Sequence, residues 1–535
     1  MGKSIDVEDD EVVYNSTNIL FMIFSTFAIF WMVQGAGLFY SGLTRRKSAL
    51  IQAVYSLLAL AIVSIQWFLL GYSLVFSESS GPFVGGFKRV GLRHALGDKG
   101  RSQVNIVPEV ANALFGSMFP AVTAALTVGA VADRGRVLPA AIFIFIWTTL
   151  VYDPIAFWSW NKQGWARRMG SLDYAGGTIV HITSGFSALA YSLVLGKRLG
   201  HGTEQLNYRP HNTILVVIGT SLLWAGWFGF NAGSAFAPHT QSVIAMLNTQ
   251  LSASAGGLAW AYMDYRLDSH WSIVGFCSGV VSGLVSITSG AGYIQPWAAI
   301  IVGCAGGCIC NLSTKIKFFL DIDDALDVFA VHGVGGLMGT ILTGVFATTS
   351  IDADIRSGGL IDGKILLLLH QTIVGSVTGI YAFFMSIIVL VLIKSAPNLH
   401  LRVRGDQELA GLDLTEHDEF VFDHEELISQ IESTFLYANR NGLVGSTGYS
   451  VGDDSLPTAM PYHRAPLPAS GIYKAANPPH LASDDDENDE EDPFNGTGMF
   501  PGISPRSQRT DYTPSAMNNN HQPHPTDGSP LLSHA

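Results

Sequence analysis

Long apolar stretches recur through most of this 535-residue sequence, and they constrain its fold more than any other feature. A helix of about 20 predominantly apolar residues crosses the ~30 Å hydrocarbon core of a bilayer, because each residue rises about 1.5 Å along the axis. Eleven stretches of at least about this length lie at 18–40, 49–76, 108–131, 137–159, 174–196, 213–236, 242–264, 271–289, 294–315, 326–347 and 365–393. The pattern predicts an all-α polytopic membrane protein with eleven transmembrane helices.

The charges between these stretches predict how the chain crosses the membrane. An odd number of spans leaves the two termini on opposite sides. Short basic connectors alternate onto one side, at 44–47, 133–136, 196–198 and 315–317. Because cytoplasmic loops carry an excess of Lys and Arg, we predict the N-terminus outside and the C-terminus inside. The basic loop at 77–107 runs against this orientation, although its greater length reduces the weight of its charge.

Two stretches share one spacing of aspartate and histidine. The stretch beginning at Asp173 reads D-Y-A-G-G-T-I-V-H-I-T-S-G, and the one beginning at Asp324 reads D-A-L-D-V-F-A-V-H-G-V-G-G. His181 and His332 each follow their aspartate by eight residues and fall in the fifth and tenth spans. This repetition predicts a 5+5 inverted repeat plus one extra helix, with a binding site where the halves meet near the bilayer midplane.

A histidine inside a membrane span has more than one explanation. Each could be a satisfied residue packed between helices, but an intramembrane ionisable group is a functional hypothesis by default, and the shared spacing favours a functional pair. A membrane metalloenzyme with His181 and His332 as ligands is a further alternative. Metal sites usually need three or four protein ligands, and these motifs supply no further His or Cys. We therefore predict neither a metal nor a cofactor, and no nucleic-acid partner.

Aromatic residues gather at span ends that the topology puts on the outer side. Phe119 ends L-F-G-S-M-F, Trp160 ends the fourth span, and W-A-G-W-F-G-F-N-A-G-S contains Phe230 and Ser234. Aromatic rings at span ends commonly form an interfacial belt. Rings around a mouth can instead hold a small cation by cation–π attraction, which is worth roughly 2 kcal/mol when the cation is desolvated. Spacing alone leaves both explanations open.

The motifs D-Y-A-G-G-T-I-V-H-I-T-S-G, G-W-F-G-F-N-A-G-S and D-V-F-A-V-H-G-V-G-G together resemble the ammonium transporter family (Amt/Mep/Rh). The resemblance runs from about residue 18 to about residue 420 and is closest to fungal Mep-type ammonium permeases of the Amt/Mep branch. It implies a homotrimer of eleven-helix subunits, each with its own pore, in the plasma membrane. It also implies that the protein is a transporter and not an enzyme.

The resemblance assigns roles to individual residues. It implies an outer ammonium-recruiting site at Trp160, Phe119 and Ser234, above a paired gate of Phe119 and Phe230. It further implies twin pore histidines at His181 and His332, with Asp173 as a buried supporting aspartate. The interval from Trp160 to Asp173 is one residue longer than in bacterial members. Ammonium or ammonia is the expected substrate, with methylammonium as a candidate second one.

The ends of the chain differ in composition from the apolar part. Residues 1–17 are acidic, which is the wrong charge for a signal peptide, and we expect them to form an extracellular segment ahead of a retained first span. Residues 394–440 are expected to form a cytosolic regulatory segment, with a short helix at 423–436. Residues 441–535 are rich in Ser, Pro and acidic residues and are predicted to be a disordered cytosolic tail. Serines and threonines there are candidate substrates for a kinase.

The sequence therefore predicts an ammonium transporter that lies among membrane lipids. In this hypothesis the protein recruits ammonium outside, deprotonates it past the phenylalanine gate and conducts ammonia along the histidines, and net transport can be electrogenic. The alternative is an ammonium sensor that uses the same pore and signals through the cytosolic tail.

Overall fold

The computed structural model describes residues 14–78, 81–96, 106–202, 210–353 and 355–419. In these ranges the long helices follow the predicted stretches in order: α1 Ser16–Leu43, α2 Arg46–Phe76, α3 Glu109–Val131, α4 Val137–Met169, α5 Gly177–Leu195, α6 Thr213–Gly233, α7 Thr240–Asp268, α8 Ile273–Ile287, α9 Pro296–Phe319, α10 Phe329–Phe346 and α11 Leu366–Ser395. A short helix, α12, follows at Gly405–Ala410. The all-helical prediction is confirmed over the described part of the chain, where extended structure is limited to isolated bridges.

The number of spans is confirmed only in part. Within the described ranges, nine of these helices are long and apolar enough to cross a membrane. The other two are α7, which is long but carries polar residues along its length, and α8, which is apolar but only 15 residues long. The helix at 423–436 and the tail from 441 onward lie outside the described residues, as do residues 1–13.

Side-chain caps fix where several of these helices begin. The Asn15 side chain accepts the backbone N–H of Thr17 at the start of α1. The Asn212 side chain accepts from Leu215 in α6 at 3.1 Å, and Ser272 does the same in α8. Such caps satisfy N–H groups that have no partner inside the helix. Polar residues just before an apolar run therefore set the boundaries to within a few residues of the predicted ones.

The helices that carry the two histidines cross in backbone contact. A Cβ atom added at Gly185 in α5 would overlap the backbone of Gly333 in α10. A Cβ added at Gly336 would lie 3.0 Å from the carbonyl oxygen of Gly177 and 3.0 Å from the Cβ of His181. Small residues allow membrane helices to approach this closely. The glycines of the two motifs therefore determine how near α5 and α10 can come.

We expect Gly185→Ala to separate these helices, to lower the yield of folded protein by about tenfold or more and to lower its melting temperature. The added methyl group meets fixed backbone at the crossing, and overpacking of this kind costs about 1–3 kcal/mol or more. Expression yield and thermal unfolding in detergent would measure the two effects. Gly81→Ala is the matched control, because no atom lies within 4 Å of its added Cβ. Wild-type behaviour of Gly185→Ala would contradict the close crossing.

The segment after α11 packs on the loops that carry the basic connectors. Asp413 accepts the backbone N–H groups of Leu50 and Ile51 at 3.0 and 2.9 Å, next to the start of α2. Glu416 accepts the N–H of Val137, the first residue of α4, at 2.9 Å. Carboxylates at helix N-termini are favourable both as hydrogen-bond acceptors and as charges. The described part of the C-terminal segment and these connectors therefore share one face of the bundle.

An ion-pair network lies on the same face. The Arg198 guanidinium bridges Asp133 and Asp323, with N–O distances of 2.8 Å to each. Burial alone would raise the pKa of the Asp323 carboxyl, but the hydrogen bonds and charge of Arg198 outweigh it and hold that pKa well below its usual range. Because Asp133 precedes α4, Arg198 follows α5 and Asp323 precedes α10, the network ties three connections together.

Candidate functional site

His181 and His332 meet in the interior of the bundle. Their Nδ1 atoms are 3.2 Å apart, and their ring centroids lie 5.3 Å apart with 26° between the planes. The two residues are 0% and 2% exposed, so bulk water does not compete for this contact. A hydrogen bond between two Nδ1 atoms requires that one ring carries its proton on Nδ1 and that the other does not. If both rings are neutral, the pair then presents one Nε2–H donor and one free Nε2 acceptor.

Both histidines lie in π-helical turns, at Gly177–Ile182 and Phe329–Val334. Such wide turns are rare and are found frequently at functional sites. The aspartates of the two motifs accept equivalent hydrogen bonds at the start of these turns. Asp173 Oδ2 accepts the N–H five residues later at 2.9 Å, and Asp324 Oδ2 does so at 2.8 Å. The repeat in the sequence therefore corresponds to a repeat in local structure.

A series of aromatic rings leads from the protein surface to His181. The Trp160 ring meets the Phe119 ring edge-on at a centroid distance of 5.1 Å. Phe119 and Phe230 lie 4.4 Å apart at 32°, and the Phe230 centroid is 6.3 Å from that of His181. Phe119 and Phe230 are 2% and 0% exposed and occupy the space between Trp160 and the histidines. The structure thus brings five of the seven predicted site residues into one continuous line.

The remaining two predicted residues lie beside this line. The Ser234 hydroxyl donates to the carbonyl oxygen of Phe230 at 2.9 Å, which fixes it one helical turn beyond that ring. The Asp173 carboxylate accepts the backbone N–H groups of Gly176, Thr178 and Ile179 at 2.9 to 3.1 Å. Asp173 therefore caps the start of α5 and lies next to Trp160, whose Nε1–H donates to its carbonyl oxygen at 3.2 Å.

A cavity of about 270 Å³ opens on the other side of the histidine pair. His332 and Trp227 line its inner end, and the ion pair of Lys317 with Asp327, at 2.7 Å, lines it further out together with Tyr40. One side of the histidine pair is therefore covered by the Phe119 and Phe230 rings, whereas the other side faces the cavity.

Sequence reasoning missed part of this environment. Trp227 stacks on His181 at a centroid distance of 5.1 Å and an angle of 16°, and its Nε1–H donates to Thr288 in the connection after α8. The sequence placed Trp227 among clustered aromatic residues but gave no sign of Thr288, 61 residues away. Tyr40 was assigned no role, Lys317 counted only as part of the basic connector at 315–317, and Asp327 was given no function although it lies in the motif that contains His332. In the described ranges, no group of three or more His, Cys, Asp or Glu side chains is arranged to hold a metal ion.

Comparison with known proteins identifies a family for this chain. A family model described as "Ammonium Transporter Family" matches residues 20–422. Ammonium transporter 1 of Schizosaccharomyces pombe is 46% identical over 414 residues, which cover 76% of this chain and 83% of that protein. Ammonium transporter MEP2 of Saccharomyces cerevisiae is 41% identical over 73% of this chain and 80% of that protein. These relatives are named as transporters and not as enzymes.

Solved structures agree with this result. The crystal structure of Saccharomyces cerevisiae Mep2 matches with a TM-score of 0.70 and 39% identity, covering 74% of this chain and 89% of that chain. A structure named "Sensor Amt Protein" matches with a TM-score of 0.69 at 25% identity, covering 76% of this chain and 99% of that chain. The family match over most of the sequence, together with relatives at more than 40% identity, shows that this chain belongs to the ammonium transporter family.

Proposed function

We propose that this protein moves ammonium across a membrane by separating it into ammonia and a proton. Ammonium is recruited at Trp160, Phe119 and Ser234, loses a proton at the gate of Phe119 and Phe230, and continues as ammonia past His181 and His332 into the inner cavity. One observation carries the proposal: the unbroken line of side chains from Trp160 to the 3.2 Å histidine contact.

Deprotonation explains how such a path can be selective. Ammonium and potassium are similar in size, so a pore that selected by diameter alone would distinguish them poorly. An unpaired cation is very costly to bury, whereas neutral ammonia is not. The tilted Phe119 and Phe230 rings, 4.4 Å apart, carry no polar atom that could replace the water around a cation. In this proposal potassium is rejected because it has no proton to give up.

The histidine pair suits a small neutral ligand that both donates and accepts hydrogen bonds. With one Nε2–H donor and one Nε2 acceptor, the two neutral rings offer ammonia complementary partners. His181 Nε2 is buried and has no hydrogen-bond partner among the described residues, so it remains available to a ligand. The proton left at the outer site crosses by a separate route in this proposal, and net transport is therefore electrogenic.

The proposal includes an architecture and a location. We infer eleven spans in a 5+5 inverted repeat plus α11, which counts as spans both α7, with its polar residues, and α8, with only 15 residues. The equivalent caps by Asp173 and Asp324 support the repeat. The N-terminus is outside with residues 1–17, and the C-terminus is inside. On the cytosolic side residues 394–440 regulate transport, and residues 441–535 form a tail whose serines and threonines are substrates for a kinase. The assembly is a homotrimer in the plasma membrane.

We expect Trp160→Leu to raise the ammonium concentration at half-maximal uptake about tenfold, with a smaller change in the maximal rate. The ring would contribute roughly 2 kcal/mol or less to holding a desolvated cation. Uptake by proteoliposomes over a range of ammonium concentrations would measure both parameters. Trp158→Leu is the matched control, because that ring packs on Tyr381 and Trp165 and not on Phe119.

The same assay tests the function itself. Saturable ammonium uptake by the wild-type chain, with a shifted half-saturation in Trp160→Leu alone, would support transport and the recruiting site. Absence of ammonium uptake by folded wild-type protein would contradict the transporter proposal. It would leave the sensor alternative, for which a transport-inactive variant that still signals through its tail would be the diagnostic result.

A further inference from the structure

A carboxyl group and an amide are buried together between α2 and α4, away from the line of pore residues. Asp153 and Gln66 are both 0% exposed. The Gln66 side chain donates from Nε2 to Asp153 Oδ2 at 2.8 Å and to Thr149 Oγ1 at 3.0 Å. Each of the two residues adjoins a π-helical turn, at Trp67–Gly71 in α2 and at Thr148–Tyr152 in α4. The contact therefore joins the two helices where both depart from α-helical geometry.

The second oxygen of each side chain has no donor. Gln66 Oε1 and Asp153 Oδ1 are buried and lack a hydrogen-bond partner among the described residues. They face one small region, since a Cβ added at Gly71 would lie 2.8 Å from Gln66 Oε1 and 3.3 Å from Asp153 Oδ1. Two buried acceptor oxygens that share one region without a donor are unfavourable in an apolar interior. A donor hydrogen is needed there.

No charged group compensates Asp153 within the described part of the chain. It takes part in no ion pair there, and Gln66 is its side-chain partner. The Tyr152 hydroxyl has no hydrogen-bond partner among the described residues and that of Tyr72 donates to Glu109 at 2.8 Å, so neither donates to Asp153. An unpaired carboxylate in a membrane interior is costly, and such a group neutralises itself by keeping its proton.

We propose that Asp153 holds a permanent proton on Oδ1 and donates it to Gln66 Oε1. The Nε2–H of Gln66 donates to Oδ2 in return, so acid and amide form a closed pair in which both hydrogen bonds are satisfied. Asp153 is then a proton-binding site outside the pore, and the pair is a neutral clamp that holds α2 against α4. This inference does not depend on which substrate the protein transports.

Infrared spectroscopy in lipid bilayers with isotope-labelled aspartate tests the proton directly. A protonated carboxyl group absorbs at a higher C=O stretching frequency than a carboxylate. We expect wild-type protein to show a protonated-acid band across mildly acidic to mildly basic pH, and Asp153→Asn to lose it. Gln66→Leu keeps the acid but removes its partner, so the band should move to higher frequency. This second variant assigns the band even if Asp153→Asn does not fold.

Thermal unfolding supplies an independent measurement. Asparagine reproduces a protonated aspartic acid, because its Nδ2–H can donate to Gln66 Oε1 while its oxygen accepts from Gln66 Nε2. Asp153→Asn should therefore change the melting temperature by no more than about 2 °C, whereas Gln66→Leu should lower it by about 5 °C or more. A wild-type spectrum that lacks the band, or destabilisation by Asp153→Asn as large as that by Gln66→Leu, would overturn the proposal.

Discussion

Asp173→Ala is expected to reduce ammonium transport by about 100-fold or more, although Asp173 lies beside the pore and not in it. Its carboxylate accepts three backbone N–H groups at the start of α5, and hydrogen bonds to a charged group contribute about 1.5–3 kcal/mol each. Without them, the π-helical turn that carries His181 and the loop that holds Trp160 lose their common support. Ammonium flux and thermal unfolding, measured on the same preparations, would separate lost transport from lost folding.

Asp324→Ala is the matched control for this variant. Asp324 occupies the equivalent position in the second repeat but accepts one backbone N–H, from Phe329, so a smaller effect is expected. Asp173→Asn should fall between the two alanine variants, because it keeps one acceptor oxygen and loses the charge. Near-normal transport by Asp173→Ala would mean that the cap is not needed for the geometry of the site.

Replacing both His181 and His332 by alanine is expected to lower the ratio of ammonium flux to potassium flux at least about tenfold. Two imidazoles occupy the described path between the Phe230 ring and the 270 Å³ cavity. Without them the cavity extends toward the gate and gains room for water, which lets a cation keep part of its hydration. Fluxes of the two ions into proteoliposomes would measure the ratio.

His270→Ala is a control for this experiment, since that side chain is exposed beyond the end of α7. The single variants are informative as well. Each leaves one buried imidazole without its Nδ1 partner, and an unsatisfied buried polar group costs about 1–3 kcal/mol. We therefore expect each single variant to lose more than half of the stability that the double variant loses. An unchanged flux ratio in the double variant would place selectivity elsewhere, at the outer aromatic rings.

Much of the fold could be predicted because its signals are local. Apolar runs of sufficient length and polar caps such as Asn212 fix most helices without reference to the rest of the chain. The structure also explains why α7 carries a weaker signal. Its buried residues include Asn248 and Ser252, which bond to backbone carbonyl groups of neighbouring segments. A helix that packs inside protein needs less apolar surface than one surrounded by lipid.

The site could be predicted in its residues but not in its contacts. The shared spacing of Asp173–His181 and Asp324–His332 is visible in the sequence, yet the contact of the rings depends on a helix crossing that only the backbone of Gly185 and Gly333 permits. Pairs such as Gln66–Asp153 join residues 87 positions apart. No periodicity relates such partners, because tertiary packing alone brings them together.

The current that follows a pulse of ammonium onto proteoliposomes tests the central claim most directly. It should be recorded for the wild type and for His181→Ala with His332→Ala, each also with an equal pulse of potassium. We expect the wild-type protein to pass charge with ammonium and not with potassium, and the double variant to lose this discrimination. A wild-type current of equal size with both ions, or one that the double variant retains with full ammonium selectivity, would contradict deprotonation followed by conduction along the histidine pair.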